Sequence, residues 1–331
     1  MTPPIAVIIG ALGAQGSSIL SALLTSNNPR YKIRALTSNT ASPEAIRLAN
    51  SHPNIEVFQT DLSSPTSLLA AFTGASVIFA NTVFKPDVFL TQGAAAAEEL
   101  EISHGLNIVQ AASKISSTLQ HFIWSTLPDA DGLTEGKYKI PHFQSKIPAD
   151  KYLLDPENGL VNKTTFLRIG MYGSNLMRDP YKPVYVKEVG KYILTLPCSP
   201  LTLIPFIGEE TPNIGLIVEA ILRQPERTLG KYVLGVAEHL TAAEWASTLS
   251  NASKVEVSFS EMTLEDYEGH WGHVGTEIGL MFKFIEELQR DSYTGGLSSS
   301  LIVTPEDLGV QCLLHSTEDG LGKINWEDIL G

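Results

Sequence analysis

Glycines 10, 13 and 16 stand at the end of the apolar run 5–9, and a helical pattern follows at once. A strand that passes into a helix through three glycines suits a dinucleotide pyrophosphate. Gly10 lets the chain turn sharply, Gly13 lets the backbone approach the phosphates, and Gly16 leaves room for the helix to pack on the sheet. The N–H groups of the first helical turn then face the negative charge. Leu12, Ala14 and Gln15 complete the same surface. The spacing is one residue wider than the commonest dinucleotide fingerprint. Read without a cofactor, the same glycines only close a strand–helix turn.

His142 and Lys146 form a second constellation. Four positions apart, they share one face of a predicted helix over 142–154. In a nicotinamide-dependent reduction, hydride reaches the carbonyl carbon and a proton must reach its oxygen. Lys146 is suited to hold the nicotinamide ribose and bias the proton equilibrium. His142, or a relay through water and a ribose hydroxyl, is suited to supply the proton. The bland alternative for His142 is a helix-start histidine that packs locally. Tyr172 is the competing donor, or an aromatic wall. Asn175 binds a polar substrate group or caps the next segment. Ser125 and Thr126 orient a substrate oxygen or satisfy a strand end.

The elements needed to position these residues are legible. Strand patterns at 5–9, 31–36, 55–59, 76–80, 121–124 and 165–169 alternate with helical patterns at 17–24, 43–49, 67–72 and 93–113. This is the cadence of a parallel sheet covered by helices on both faces, an α/β fold. After Gly170 prolines break the pattern, and a smaller C-terminal α/β lobe is expected to cover the substrate. Helices at 213–222 and 277–290, a strand at 231–236, a capping box at Thr241/Glu244 and a further cap at Thr304/Asp307 are expected there. The division falls near 175, with 176–331 sending some segments back to the main domain.

Ligands of open parallel sheets gather beyond the strand ends. Thr37, Ser38 and Asn39 follow the second strand, where the adenosine ribose is expected. No Asp or Glu stands there to grip free ribose hydroxyls, so NADP(H) is favoured and NAD(H) stays open. The arginine expected for a 2′-phosphate is also missing from that point, and the same three residues are compatible with a hydrogen-bonded turn. Asp61 and Leu62 are placed for an adenine contact, or Asp61 for a cap. Asn81, Thr82 and Phe84 follow the fourth strand; their backbone can meet the cofactor, and Phe84 can cover its nicotinamide end.

Composition narrows the classes. The chain has 331 residues, 43% hydrophobic, with a formal charge of -13. That charge argues against direct nucleic-acid binding. Two cysteines, 198 and 312, make neither a disulfide framework nor a thiolate cluster, and His270 with His273 does not specify a metal. The late aromatics Tyr267, Trp271, Phe282, Phe284 and Tyr293 read as core or pocket wall. No run is apolar for the length of a bilayer crossing and no secretory leader precedes the first strand, so a cytoplasmic protein is expected. Monomer and homodimer stay open.

Taken together, Gly-Ala-Leu-Gly-Ala-Gln-Gly at 10–16, Ile-Arg-Ala-Leu-Thr at 33–37, Thr-Asp-Leu at 60–62, His-Phe-Gln-Ser-Lys at 142–146 and Leu-Arg-Ile-Gly-Met-Tyr-Gly-Ser-Asn at 167–175 give the chain a resemblance. It resembles the NmrA-like branch of the atypical short-chain dehydrogenases/reductases over nearly its whole length. The resemblance implies a Rossmann domain, a smaller C-terminal domain, and a substrate cleft between them. It implies that Lys146 occupies the active-site lysine position, with His142 where short-chain reductases carry tyrosine. Members include reductases and non-enzymatic redox sensors that regulate other proteins. The expectation is an NADPH-dependent reductase of a medium-sized, apolar ketone, imine or enone in specialised metabolism. The alternative is an NAD(P)-sensing regulator that acts through a protein partner.

Overall fold

Short runs rich in Val, Ile and Ala, apolar on both faces, form a parallel sheet because each face is covered by helices. In the computed structural model, which describes residues 3–25 and 30–330, the strands are β1 Ile5–Ile8, β2 Lys32–Thr37, β3 Ile55–Gln59, β4 Ala75–Ala80, β5 His121–Thr126, β6 Thr164–Ile169, β7 Val184–Val186, β8 Lys191–Leu196, β9 Leu203–Phe206, β10 Lys231–Gly235, β11 Glu238–Thr241, β12 Val257–Glu261 and β13 Ile302–Val303. Eight of them make one sheet in the order β3-β2-β1-β4-β5-β6-β10-β13. Every pairing in it is parallel. The fold is therefore α/β and Rossmann-like. The order reverses between β1 and β4, which opens a crevice at their carboxyl ends.

Alternation along each strand divides the core. Ala6, Ile8, Ile33, Val77, Phe79 and Ile123 face the helices Ala14–Leu24 and Glu210–Arg223. Val7, Ile78, Phe122, Trp124 and Phe166 face Pro65–Phe72, Ala94–Lys114 and Ile147–Leu154. The contact between Ala14–Leu24 and Glu210–Arg223 is close because Gly215 carries no Cβ; one there would meet the Ala22 side chain at 2.8 Å. Ser18 Oγ accepts the Gly215 N–H at 2.7 Å.

The smaller C-terminal part contains two small sheets, the mixed β12-β8-β7 and the antiparallel pair β11-β9. Its own core gathers Leu194, Leu196, Phe206, Trp245, Phe282 and Phe284. Tyr138, Ile140, Phe143 and Met171, which flank the residues of interest, join that core. The late part of the chain also supplies β10 and β13 to the large sheet.

The expected helix over 142–154 is two helices, Pro141–Gln144 and Ile147–Leu154. Pro148 has no N–H to donate to Gln144, so the ladder stops there and restarts. The first helix begins at Ala14, ahead of the expected Ser17. A helix at Pro86–Gln92 was not expected. The run over 277–290 is the end of a longer helix, Leu264–Leu288, kinked at Gly272. The capping box at Thr241/Glu244 forms as read. Thr304 and Asp307 exchange hydrogen bonds, but they close a turn with no helix behind it.

Candidate functional site

The glycine loop lies at the end of β1, over the crevice. Gly10 has φ +66 and needs the left-handed conformation. Gly16 meets a different demand: a Cβ there would lie 2.7 Å from Ala11 Cα and overlap the Gly10 carbonyl. Gly13 is the N-cap of Ala14–Leu24, with no side-chain cap and no acidic residue in the first turn. The opening amides are thus left for an anion.

Two adjoining clefts run along the carboxyl edge of the sheet and share Gly13, Asn81 and Val83. The first, about 740 Å³, is lined by Gly10, Leu12, Thr37, Ser38, Asp61 and Leu62 among others. Sequence reading missed Ser63, Lys85 and His104 on its wall. His104 Nε2 lies 3.0 Å from Ser63 Oγ. Burial, and then the Lys85 charge, hold its pKa below the ordinary value. Gly16 and Asn39 do not line either cleft. Asn39 Oδ1 accepts the Ala41 N–H at 2.9 Å, which is the turn role. Arg34 is bound to Glu56 and to the carbonyls of Ala71 and Thr73, and Arg47 to Glu44, so neither points a free charge at the ribose end.

The second cleft, about 520 Å³, collects Ala14, Gln15, Thr82, Phe84, Ser125, Thr126, His142, Lys146, Tyr172 and Asn175 from segments scattered along the chain. Its apolar walls include Phe143, Met171, Tyr181, Ile278 and Met281. Lys146 is buried, and each of its N–H groups has an acceptor. Nζ donates to Thr82 Oγ1 at 2.6 Å, the Thr82 carbonyl at 3.0 Å and Glu101 Oε1 at 2.6 Å. Glu101 also receives the hydroxyls of Ser145 and Thr82. Burial pushes the Glu101 pKa up, but the Lys146 ammonium and these hydrogen bonds outweigh it and leave the group below the ordinary carboxylate range. Glu101 was missed, although it left a signal: it sits on the stripe Ala97, Glu101, His104, Ile108 of an alanine-rich helix, where an apolar residue belongs.

His142 is held from the other side. Its Nδ1 lies 2.8 Å from Glu277 Oε1, and its backbone N–H donates to the same oxygen at 3.1 Å. The imidazole packs T-shaped against Phe84 and Phe143, with ring centroids 6.2 and 4.8 Å away. Glu277 lies on Leu264–Leu288, so the pair joins the two parts of the molecule.

Tyr172 accepts a hydrogen bond from Gln15 Nε2 at 3.1 Å. Burial pushes its phenol up to about 12, despite the Gln15 donor. That makes it a poorer proton donor at neutral pH than an imidazolium. Gln15 Oε1 is buried with no partner among the described residues, an acceptor left for a ligand. Thr126 turns its hydroxyl away from the cleft to Asp150, whose oxygens are both at 2.8 Å. Trp124 Nε1 donates to the same carboxyl at 2.7 Å. Burial pushes Asp150 up to about 7, against those hydrogen bonds and the charges of Arg168 and Lys146.

Among the described residues no cluster of His, Cys, Asp and Glu is arranged to hold a metal. Cys198 is buried and Cys312 exposed, both as free thiols. His270 and His273 are exposed, while Tyr267, Phe282 and Phe284 are core and Tyr293 lines the second cleft. No helix of the described residues is long and apolar enough to cross a membrane.

The chain is similar to known proteins over most of its length. It is 28% identical over 301 residues to the NmrA-like family domain-containing oxidoreductase hkm9 of Aspergillus hancockii, covering 85% of each chain. Its fold matches NmrA, a negative transcriptional regulator solved in complex with NADP, with TM-score 0.70 and 20% identity, over 99% of this chain and 97% of the other. It also matches the triphenylmethane reductase of a Citrobacter species solved with NADP(H), with TM-score 0.69 and 19% identity, over 97% and 99%. The NmrA-like family model matches residues 3–309, and the chain belongs to that family, with an NAD(P)-binding Rossmann fold.

Proposed function

We propose that the chain binds NADP(H) and reduces a medium-sized, apolar ketone, imine or enone. One observation carries this reading: the cleft that holds the His142–Glu277 pair adjoins the glycine-loop cleft, the two sharing Gly13, Asn81 and Val83. The bound dinucleotide would supply hydride. The uncapped amides after Gly13 would hold the pyrophosphate, and Thr37, Ser38, Asp61 and Leu62 the adenosine end. The absence of a carboxylate at Thr37–Asn39 supports NADP(H) over NAD(H). Asn81, Thr82, Phe84, Gln15 and Asn175 line the second cleft and would border the nicotinamide end. Lys146 would orient that end by giving up one Thr82 contact while keeping Glu101. His142 would donate the proton, and Phe84, Phe143, Met171 and Met281 would exclude water from the reacting carbon. Relatives with oxidoreductase names support the reaction class.

The engagement of the whole Lys146 ammonium favours a second reading, a non-enzymatic NAD(P)-sensing regulator acting through a protein partner. Calorimetry with NADPH and NADH, followed by NADPH oxidation across a panel of ketones, imines and enones, separates the two. NADPH binding with turnover is expected. Tight binding without turnover would select the regulator, and no binding of either dinucleotide would end both readings.

A further inference from the structure

We propose that Glu277 is the positioning residue that presents His142 to the apolar cleft as a proton donor, and that the pair exists only while the C-terminal helix Leu264–Leu288 is docked beside the Rossmann domain. This rests on the reductase reading.

One buried oxygen of Glu277 takes both the His142 backbone N–H and Nδ1, across 135 positions of sequence. A carboxylate that accepts the backbone N–H is an acceptor for the ring as well, so the Nδ1 nitrogen carries hydrogen. The ring's other nitrogen, Nε2, has no partner among the described residues, and His142 lines the cleft. Phe84 and Phe143 pack T-shaped against the ring. Glu277 lies 6% exposed on a helix face whose neighbours, Ile278 and Met281, are cleft wall. An apolar residue would satisfy packing there at less desolvation cost. The carboxylate has a use if it orients the ring and stabilises the imidazolium.

The proton count closes. As the substrate carbon accepts hydride from the reduced dinucleotide, the C=O π pair moves to oxygen. That oxygen takes the Nε2 proton of the doubly protonated ring, the imidazolium, whose Nδ1–H stays hydrogen-bonded to Glu277: the Nε2–H bond breaks and an O–H bond forms. The products are the alcohol, the oxidised dinucleotide and a neutral imidazole that regains its proton from solvent. With an imine, nitrogen takes the proton in the same way.

Glu277→Leu removes the acceptor, and Glu277→Gln keeps an oxygen but loses the charge. Imidazole nitrogen NMR on the full chain reads the tautomer of His142. Wild type and Glu277→Gln are expected to hold hydrogen at Nδ1, and Glu277→Leu to lose that preference. With a substrate the wild type reduces, kcat is expected to fall about 10-fold in Glu277→Gln and about 100-fold in Glu277→Leu. KM and the NADPH Kd are expected to stay within about 2-fold, because the lost interaction belongs to the transition state. An unchanged His142 tautomer in Glu277→Leu, an unchanged kcat in both variants, or a loss confined to KM would overturn the proposal. A wild type that binds NADPH but reduces nothing overturns the reductase reading and the proton-donor role with it; the tautomer then still decides whether Glu277 sets the histidine.

Discussion

An ammonium has three N–H groups, and Lys146 finds three acceptors inside the protein. Its charge therefore serves the fold before any ligand arrives. Lys146→Met leaves Glu101, 1% exposed, without its counter-ion, and is expected to lose about 3–5 kcal/mol in urea unfolding. The double variant Glu101→Gln/Lys146→Met should recover most of it. Wild-type stability in Lys146→Met would show that the pair carries no structural charge. Because the folded pKa of Glu101 is depressed, its contribution is present above the unfolded value and disappears as pH falls through the folded one. Asp150 has the opposite sign. Its folded value, about 7, lies above the ordinary 3.8, so the folded state binds the extra proton and stability declines as pH rises between those values. Asp150→Asn should flatten that decline and gain a few kcal/mol at pH about 8, read from unfolding midpoints across pH. A slope that survives the substitution would place its origin elsewhere.

At the scale of elements, the glycine loop separates binding from folding. A Cβ on Gly13 would meet only the Gly10 carbonyl, at 3.3 Å, and its φ of -84 suits alanine. Gly13→Ala should therefore keep stability within about 0.5 kcal/mol while NADPH affinity, measured by calorimetry, falls at least about 10-fold. Gly16→Ala should lose both, with a stability cost of about 1–3 kcal/mol from overpacking. Equal behaviour of the two variants would contradict this division. The loop was legible because glycine spacing reports local backbone geometry. The break between Pro141–Gln144 and Ile147–Leu154 was legible too, in Pro148, but the four-residue spacing of His142 and Lys146 concealed it. Both side chains still border one cleft. They look to opposite partners, Glu277 and Glu101, which lie on two different helices.

For the whole molecule, the formal charge of -13 points one way. Duplex DNA should show no mobility shift with this chain at physiological salt, since a net charge of -13 opposes the approach of a phosphate backbone. A salt-sensitive complex would refute that expectation. The large sheet was readable as far as β6, and β10 was read as a strand at 231–236, because each strand and its flanking helix is a local pattern. The smaller sheets were not. Pro183 borders β7, Pro197 borders β8 and Pro205 lies within β9, while β8 and β9 pair with β12 and β11 much further along the chain. The amino-acid sequence alone determined the parallel α/β architecture, the glycine loop and the family, all of which rest on motifs whose residues stand close together in the chain. Only the tertiary structure decided that Lys146 is paired with Glu101 and His142 with Glu277. A buried charge takes its partner from whatever element is packed against it, and that partner stands 45 positions away in one case and 135 in the other.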